Sequence, residues 1–378
     1  MRVLYVTADP GVPVLGHKGA SVHVRELIGA LHRAGTEVHV ASPRVRPEGD
    51  RLDAPVPLLE LTPVLPKAHA DPAALRAAVD VQAGEVLRLA RTLGVDAIYE
   101  RFSLYTAAGA RTATALGIPH VVEVNAPLRE EAIRFRTLPH PHLAAELERE
   151  TFAGAHRVLA VSDPLARRLA VDGVPADRIE VLPNAVDSGR FERPVRARDR
   201  FVVGFAGSLK PWHGIQTLAD AVAAAPEVHL DVIGHGPCLS PLEALPPERV
   251  TVRGTLPHAA ATAAMAGWDV GVAPYLPLDG FWFSPLKVLE YMAAGCCPVV
   301  SDVGDARTVL GDGRRGMLVP PGDGPALATA LRALARDRGR AARLGEAARA
   351  WVASERTWAA VASRVLDALT ALAPERAA

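Results

Sequence analysis

Residues 201–214 read FVVGFAGSLKPWHG, and this stretch passes from an apolar run through glycine and serine into a polar turn. Its first six residues have the composition of a buried strand, and a segment of helical composition follows Gly214. A strand, a glycine-containing loop and a helix in this order are typical of the unit that opens a doubly wound α/β domain. The same order occurs at the N-terminus, where the run 3–7 precedes a glycine-containing loop and a predicted helix over Val22–Ala34. The chain is therefore predicted to use one architecture twice.

Strand candidates follow both starting points. Short β-branched runs alternate with Ala/Leu/Arg-rich segments of helical period, such as Ala73–Leu93, which is the pattern of parallel strands joined by crossover helices. In the first series the predicted strands are Val3–Thr7, Glu37–Ala41, Ala97–Tyr99, His120–Val124, Arg157–Val161 and Ile179–Leu182. In the second series they are Phe201–Ala206, His229–Ile233, Val250–Val252, Val270–Ala273, Pro298–Ser301 and Met317–Val319. The prediction is an α/β chain of two doubly wound, Rossmann-like domains that face each other across a cleft, with ligand loops at their strand ends.

Turn-forming residues between the two series mark the junction of the domains. Leu182–Gly189 is followed by an arginine-rich stretch up to Arg200 with little apolar period. The predicted organisation is an N-terminal domain over 1–184, a linker over 185–200, a C-terminal domain over 201–355 and a last helical segment over 356–378. In the helical stretch from Ala342 onward, Trp351 and Trp358 are the candidate apolar anchors.

The composition excludes several classes of protein. Lys and Arg total 42, as do Asp and Glu, so the charge balance favours neither a nucleic-acid partner nor a general attraction to anionic membrane. The N-terminal apolar run is too short for the core of a signal peptide, and no uncharged stretch approaches the roughly 18 residues of a membrane-spanning helix. We therefore expect a cytoplasmic protein whose membrane association is at most peripheral. Its three cysteines are expected to be free thiols.

The turn after the strand 201–206 has the features of an anion site. Gly207 and Ser208 are expected to turn backbone N–H groups outward, and Lys210 adds a compact positive charge. Neither a Walker loop nor a dinucleotide fingerprint follows the first strand of either series. The alternative interpretation is an ordinary strand-to-helix turn with a solvated lysine.

A second candidate for anion binding is the helix that follows Ser284. Ser284 suits an N-cap, Pro285 the first helical position and Gly295 the C-terminal cap, and a helix N-terminus carries a partial positive charge. Lys287 and Glu290 share one face of this helix, and a carboxylate there can accept hydrogen bonds from the hydroxyls of a ribose. A site for diphosphate beside a site for ribose indicates a nucleotide. The alternative interpretation is that Lys287 and Glu290 form an ordinary surface ion pair.

In this order the motifs resemble those of the retaining glycosyltransferases of family 4, which have the GT-B fold. The resemblance runs nearly end to end and rests on the segments 16–24 (GHKGASVHV), 182–187 (LPNAVD), 207–214 (GSLKPWHG), 233–237 (IGHGP), 268–275 (WDVGVAPY), 284–287 (SPLK) and 295–300 (GCCPVV). It implies that the C-terminal domain binds a nucleotide-diphosphate sugar, that the N-terminal domain holds the acceptor, and that the last helix returns to the N-terminal domain.

The resemblance also implies roles for individual residues. Those at the donor diphosphate are Gly16, Gly19, Gly207, Ser208, Lys210, His213, Ser284, Pro285, Leu286 and Lys287. Those at the ribose and the base are Gly234, Gly236, Arg253, Gly254 and Glu290. Candidates on the sugar and acceptor side are Glu123, Asn125, Glu100, Arg101, Phe281, Trp282 and Phe283. The catalytic candidates are Lys210, Glu290, Asn125 and Glu123.

Three positions depart from the family's pattern. Trp282 stands where the first of two acids usually lies, His213 replaces a lysine, and Asn125 replaces a histidine and cannot act as a general base. Lys210 is expected to supply most of the local charge. Glu123 has an alternative interpretation as a structural hydrogen-bond acceptor, and Glu100 and Arg101 as a surface ion pair.

The predicted reaction follows from charge. Breaking the sugar–phosphate bond develops negative charge on the departing diphosphate, which Lys210 and oriented N–H groups would stabilise. The resemblance implies retention of configuration through a front-face mechanism, and we expect a metal-independent hexosyltransferase with no cofactor. The expected donor is a UDP-sugar, with a GDP-sugar as the second choice, and the acceptor is a small molecule, a glycan or a lipid. The expected assembly is a monomer or a homodimer. Alternatives are an epimerase or hydrolase of the same fold, a non-catalytic nucleotide-sugar-binding protein, for which Trp282 is the motivating feature, and, least supported, a nicotinamide-dependent oxidoreductase.

Overall fold

The structure is a computed structural model, and it describes residues 1–46, 51–68, 71–192, 200–277, 280, 282, 284 and 286–372 of the chain. Two compact units divide the chain. The N-terminal unit comprises Met1–Pro183 and Trp358–Ala378, and the C-terminal unit comprises Asn184–Thr357. Residues 193–199 of the predicted linker and residues 373–378 of the predicted last segment lie outside the described residues. Each unit is built on its own parallel sheet.

The N-terminal unit contains a seven-stranded sheet. Its strands are β1 (Arg2–Thr7), β2 (Glu37–Ser42), β3 (Leu58–Glu60), β4 (Ala97–Arg101), β5 (His120–Val124), β6 (Arg157–Ala160) and β7 (Ile179–Val181). Its helices up to β7 are α1 (Gly19–Arg33), α2 (Pro72–Leu93), α3 (Ala108–Leu116), α4 (Leu128–Phe135), α5 (Pro141–Ala153) and α6 (Asp163–Val171), with 3-10 helices at Pro66–Ala68 and Ala176–Arg178. The strand order is β3-β2-β1-β4-β5-β6-β7, and every neighbouring pair is parallel.

The C-terminal unit contains a six-stranded sheet. Its strands are β8 (Phe201–Ala206), β9 (Val228–Ile233), β10 (Val250–Val252), β11 (Val270–Ala273), β12 (Cys297–Ser301) and β13 (Met317–Val319). Its helices are α7 (Ile215–Ala223), α8 (Ser240–Glu243), α9 (His258–Met265), α10 (Leu286–Ala293), α11 (Ala306–Val309), α12 (Gly324–Arg336) and α13 (Arg338–Glu355), with 3-10 helices at Ser188–Arg190, Pro211–His213 and Pro247–Arg249. The strand order is β10-β9-β8-β11-β12-β13, and all pairs are parallel.

Strand order reverses beside the first strand of each sheet, between β1 and β4 and between β8 and β11. Doubly wound sheets leave a crevice outside the carboxyl ends of the strands at such a switch point. The prediction of two doubly wound α/β domains is therefore confirmed, and the loops that follow β8, β9, β4 and β5 lie at the edges where ligands bind in such folds.

The last helix, α14 (Trp358–Thr370), belongs to the N-terminal unit and packs on α1. The ring of Trp358 meets the ring of His23 edge-on, with centroids 4.9 Å apart. Trp351, in contrast, lies in the C-terminal unit, where the guanidinium of Arg315 stacks 4.2 Å over its ring. Of the two tryptophans proposed as anchors of the last segment, only Trp358 packs within the N-terminal unit.

Most predicted strands agree with the structure to within two residues at either end. The three-residue edge strand β3 was not predicted, and α1 begins at Gly19, earlier than predicted. Glu100 and Arg101 are the last two residues of β4 and not the loop after it. Because successive side chains of a strand point to opposite faces, these two side chains lie on different sides of the sheet.

Local signals account for the ends of the longest helix. α2 begins after Asp71, whose carboxylate accepts a hydrogen bond of 3.0 Å from the N–H of Ala73, and Pro72 occupies its first position. It ends at Gly94, which has a φ of +61°. Left-handed backbone at this position favours glycine because an added Cβ would strain it.

The core of the C-terminal unit depends on one close approach between a glycine and an aromatic ring. Trp268 is buried, and a Cβ placed on Gly204 of β8 would lie 1.9 Å from its ring. Burying a side chain of this size stabilises the fold by roughly 2–3 kcal/mol. A glycine at 204 is therefore required by packing.

Within the described ranges, no helix combines the length and the apolar character that crossing a bilayer requires. The three cysteines are free thiols, as predicted; Cys296 and Cys297 are buried and Cys238 is half-buried.

Candidate functional site

Glycines bring the loops after β8, β9 and β10 into backbone contact. Gly207 and Gly234 both have a φ of +141°, and a Cβ on Gly234 would lie 1.9 Å from the carbonyl oxygen of Gly207. The N–H of Gly234 donates a 2.8 Å hydrogen bond to the carbonyl oxygen of Gly254, and a Cβ on Gly236 would lie 2.5 Å from that of Leu209. Four predicted donor-site glycines thus meet at one edge of the sheet.

The backbone N–H groups of the turn 207–210 are mostly used within the protein. Gly207 donates to the carbonyl oxygen of Ile233 at 2.9 Å, Leu209 to that of His235 at 3.1 Å, and Lys210 to that of Ser208 at 2.9 Å. Ser208 is exposed, and its N–H makes no such bond within the described part of the chain. The prediction that Gly207 turns its N–H outward is therefore wrong, because that group completes the ladder to β9. Glycine is favoured here by its φ of +141°, which other residues rarely adopt.

Lys287 of α10 places its ammonium group at this turn. A Cβ on Gly207 would lie 2.8 Å from the Nζ of Lys287, and Nζ stands 4.5 Å above the ring of Phe205 and 5.5 Å from that of Tyr275. Nζ is buried and has no hydrogen-bond partner among the described residues, although the rest of the side chain is partly exposed. Burial lowers the pKa of Lys287 to about 7, and the nearby Glu290 opposes this effect. Among the described residues, the charge of this amine is supported by Glu290 at a distance and by no direct hydrogen bond.

His213 is an uncharged part of the same turn. Its Nδ1 bonds to the carbonyl oxygen of Ser208, and since that oxygen only accepts, Nδ1 carries the proton. Burial, and next the charge of Lys287, lower the pKa of His213 to about 3. The neutral ring leaves Nε2 as an acceptor, so His213 does not replace the positive charge of the lysine that the family usually has.

Lys210 precedes the 3-10 helix Pro211–His213 and is half-buried. Its charge is near enough to act on the ring of His213. The predicted donor site therefore contains two lysines, of which Lys287 has the buried amine.

Glu290 is held by a residue that the sequence analysis missed. The Nε2 of His258, the first residue of α9, lies 3.0 Å from the Oε1 of Glu290. The two side chains are 17% and 16% exposed, so both are largely buried but still reachable from solvent. His258 belongs to none of the motifs that carried the resemblance, and 32 residues separate the pair in the chain.

Arg253 is also anchored by a buried acid. Its Nε donates a 2.7 Å hydrogen bond to Asp231 of β9, which accepts a second bond of 2.8 Å from the indole N–H of Trp268. The guanidinium adds no net positive charge to the site, because the carboxylate of Asp231 neutralises it.

The segment before α10 is described only in part. Phe281 and Phe283, predicted on the sugar and acceptor side, and Pro285, predicted at the diphosphate, lie outside the described residues. Trp282 is half-buried, and a Cβ on Gly280 would lie 2.0 Å from its ring. The carbonyl oxygen of Ser284 accepts a 2.7 Å hydrogen bond from the side chain of Asn184. Asn184 belongs to the junction motif and is buried, so it ties that motif to the start of α10.

The end of α10 agrees with the prediction. Leu286 is its first residue, and Gly295, with a φ of +74°, follows its last turn and donates its N–H to the carbonyl oxygen of Met292 at 2.9 Å. Glycine is favoured there for its left-handed backbone.

In the N-terminal unit, the carboxylate of Glu123 is surrounded by donors. It accepts hydrogen bonds from the Nε2 of His23 at 2.8 Å, the hydroxyl of Tyr99 at 2.6 Å, Arg101 at 3.0 Å and the side-chain amide of Asn125. Burial alone would raise the pKa of Glu123, but His23, Arg101 and Tyr99 outweigh it and lower the pKa to about 2. Glu123 is only 2% exposed, and both of its carboxylate oxygens already accept hydrogen bonds. It therefore holds the side chains of Asn125 and Arg101 in place.

Glu100 lies on the other face of β4, inside the unit. Its Oε2 is 2.9 Å from the Nε2 of His120, and neither side chain is exposed. A Cβ on Gly109 of α3 would lie 2.2 Å from that oxygen. The prediction that Glu100 faces the acceptor does not fit this burial, and the alternative of a surface Glu100–Arg101 ion pair is wrong as well. The alternation of the strand separates the two side chains.

The N-terminal loop is folded around a buried arginine. The guanidinium of Arg25 donates to the carbonyl oxygens of Val14, at 3.2 Å, and of Gly16. Gly19 is the first residue of α1. The contact of Gly16 and Gly19 with a diphosphate stays a prediction.

Two family models match the chain, one on each unit. The model described as Glycosyltransferase Family 4 matches residues 17–190, and the model described as Glycosyl transferases group 1 matches residues 200–337. Together with the two parallel-sheet units, these matches show that the chain belongs to the family 4 glycosyltransferases and has the GT-B fold.

Individual proteins resemble the chain to different extents. A phosphatidyl-myo-inositol mannosyltransferase of Mycobacterium leprae is 34% identical over 244 residues, which are 58% of this chain and 64% of that protein. The chain therefore spans slightly less than two thirds of this relative. Among solved structures, the sucrose-phosphate synthase of Thermosynechococcus elongatus has a TM-score of 0.78 at 20% identity, over 98% of both chains. Anabaena HepE in complex with UDP-glucose has a TM-score of 0.74 at 18% identity, over 98% of this chain and all of the other. At these identities the likeness to the solved structures concerns the fold.

Proposed function

We propose that the protein transfers a hexosyl group from a UDP-sugar to an acceptor with retention of anomeric configuration and without a metal ion. The observation that carries the proposal is the Nζ of Lys287, which is buried beside Gly207 without a partner among the described residues. A diphosphate at this edge of the sheet would supply the missing anion. Family membership supports the reaction class, and the UDP-glucose complex of HepE supports uracil over guanine as the base.

Each part of the donor has a candidate partner in the C-terminal unit. Lys287, Lys210 and the N–H of Ser208 would face the diphosphate, together with the start of α10 at Leu286. Glu290 would accept hydrogen bonds from the ribose hydroxyls. The base would lie against the glycine loops that end at Gly234, Gly236 and Gly254, with Arg253 at their border.

The chemical step would depend on charge stabilisation. As the bond between the anomeric carbon and the phosphate oxygen breaks, negative charge grows on that oxygen, and the ammonium of Lys287 interacts more strongly with the transition state than with the bound donor. A phosphate oxygen of the departing diphosphate would take the proton of the acceptor hydroxyl. Neutral His213 would serve as a hydrogen-bond acceptor in this step and carry no charge.

The acceptor would bind in the N-terminal unit beside Asn125 and Arg101. Both side chains donate to Glu123, which fixes their orientation. Glu123 would therefore position these groups and not contact substrate. The name of the Mycobacterium leprae relative favours an inositol-containing lipid among the possible acceptors.

The test combines binding with turnover. Isothermal titration with UDP and with GDP is compared between the wild type, Lys287→Met and the control Lys67→Met, which changes an exposed lysine of the N-terminal unit. We expect UDP to bind the wild type and the control alike and Lys287→Met at least about tenfold more weakly. UDP-glucose is then incubated with pooled acceptors, with and without EDTA, and the anomeric linkage of the product is determined by NMR.

Several outcomes would contradict the proposal. Equal UDP binding by all three proteins would remove Lys287 from the site. An inverted linkage in the product would refute retention. A loss of turnover in EDTA would refute metal independence. Release of free sugar without acceptor would identify a hydrolase instead, and binding of donor with no turnover on any acceptor would favour a non-catalytic role, for which Trp282 is the motivating feature.

A further inference from the structure

His258 and Glu290 form a hydrogen-bonded pair at the carboxyl edge of the C-terminal sheet. The Nε2 of His258 lies 3.0 Å from the Oε1 of Glu290, and both side chains are mostly buried and partly accessible. Because a carboxylate only accepts, the ring nitrogen must donate. The pair connects the first residue of α9 to the middle of α10.

We propose that His258 is a positioning residue that fixes the carboxylate of Glu290 for the hydroxyls of the nucleotide ribose. The inference rests on the proposed function of Glu290. A free glutamate side chain occupies many rotamers and loses that freedom when it binds a ligand. A hydrogen bond to Oε1 removes part of this freedom beforehand and leaves Oε2 to accept from ribose, so the nucleotide binds a group that is already oriented.

The surroundings favour positioning over a purely structural role. α9 is held in the core by Ala261 and Met265, which are buried, so the helix does not depend on the His258 side chain for packing. Glu290 lies one turn after Lys287, whose amine feels its charge. Holding the carboxylate of Glu290 in a fixed place therefore sets its distance from the amine of Lys287. The first group is proposed to bind the ribose and the second to bind the diphosphate.

The experiment compares two nucleotides that differ only in the groups that Glu290 would bind. Dissociation constants for UDP and for 2′,3′-dideoxy-UDP are measured with the wild type, His258→Ala, His258→Gln and Glu290→Gln. The control is His39→Ala, because the Nε2 of His39 lies 3.1 Å from Glu37 in a similar pair of the N-terminal unit. Glutamine at 258 can still donate through its amide and serves as the conservative variant.

We expect His258→Ala to bind UDP about tenfold more weakly and dideoxy-UDP unchanged. His258→Gln should recover most of the lost UDP affinity. The double variant His258→Ala/Glu290→Gln should bind UDP no more weakly than Glu290→Gln alone. In turnover with the UDP-sugar, KM should rise for His258→Ala by a similar factor, with kcat altered less than about twofold.

Three results would overturn the inference. If His258→Ala weakened UDP and dideoxy-UDP equally, His258 would act on the fold of the site and not on Glu290. If the wild type distinguished the two nucleotides and His258→Ala did so equally well, the inference would fail while the proposed function stood. If the wild type bound neither UDP nor GDP, both would fall together.

Discussion

Replacing Lys287 by methionine should stabilise the protein and weaken its nucleotide binding at the same time. The amine is buried against Phe205 and Gly207 with no hydrogen-bond partner in the described part of the chain. A group that is kept for binding is often unfavourable for the free protein. Methionine has a similar length and carries no charge, so it removes the unfavourable burial and leaves the packing.

The magnitude follows from the shift in pKa. Burial lowers the pKa of Lys287 from 10.5 to about 7. At 1.36 kcal/mol for each pKa unit, the charged amine costs about 5 kcal/mol below pH 6. The contact with the ring of Phe205 returns about 1 kcal/mol of this. We therefore expect Lys287→Met to increase the free energy of unfolding of the C-terminal unit by about 2–4 kcal/mol at pH 6, which corresponds to a rise in Tm of about 5–10 °C.

The sign of the pH dependence is fixed by linkage. Between the pKa of the folded protein, about 7, and that of the unfolded chain, 10.5, the unfolded state binds more protons. Wild-type stability should therefore rise with pH across this window, whereas the variant should lack that slope. A bound diphosphate raises the pKa of the amine, so wild-type affinity for UDP should fall up to about tenfold per pH unit above pH 7.

Differential scanning calorimetry at pH 6, 8 and 10 and titration with UDP measure the two effects. Lys210→Met is the matched comparison, because Lys210 lies on the same turn with a half-buried side chain; it should reduce UDP affinity without the gain in Tm. The reasoning is refuted if Lys287→Met is less stable than the wild type at pH 6, or if it binds UDP as tightly.

Three further substitutions test other parts of the structure. Glu123→Gln should lower the free energy of unfolding by about 1–3 kcal/mol at pH 7. Because the pKa of Glu123 is lowered to about 2, this difference from the wild type should vanish as the pH falls from 4.5 towards 2, which acid-unfolding experiments measure. Gly234→Ala should destabilise the protein by more than about 2 kcal/mol and abolish UDP binding, since its Cβ would lie 1.9 Å from the carbonyl oxygen of Gly207; a urea midpoint equal to the wild type would count against it. Asn184→Ala should weaken UDP binding about threefold to tenfold through loss of the 2.7 Å bond to Ser284, and an unchanged dissociation constant would show that this bond does not order the site.

The strands were predictable because most of them are central in parallel sheets. β8 and β11 are buried almost throughout and read as continuous apolar runs with β-branched residues, and their predicted bounds agree with the structure. β3 was missed because it has three residues, lies at the edge of its sheet and is only partly buried. Its pairing with β2 depends on a partner that no local pattern identifies.

The sequence by itself determined the two parallel-sheet architectures and which loops contain glycine and lysine, because burial and backbone freedom leave a local pattern. Only the tertiary structure decided what those residues contact. The N–H of Gly207 bonds to Ile233 instead of facing outward, and Lys287, 80 residues further along the chain, brings a buried amine to the turn where Lys210 was expected to supply most of the charge. Glu100 and Arg101 alternate along one strand, but which of them meets Glu123 depends on the neighbouring elements. Hydrogen bonds and charges act over a few ångströms in space, and that distance bears no fixed relation to separation along the chain.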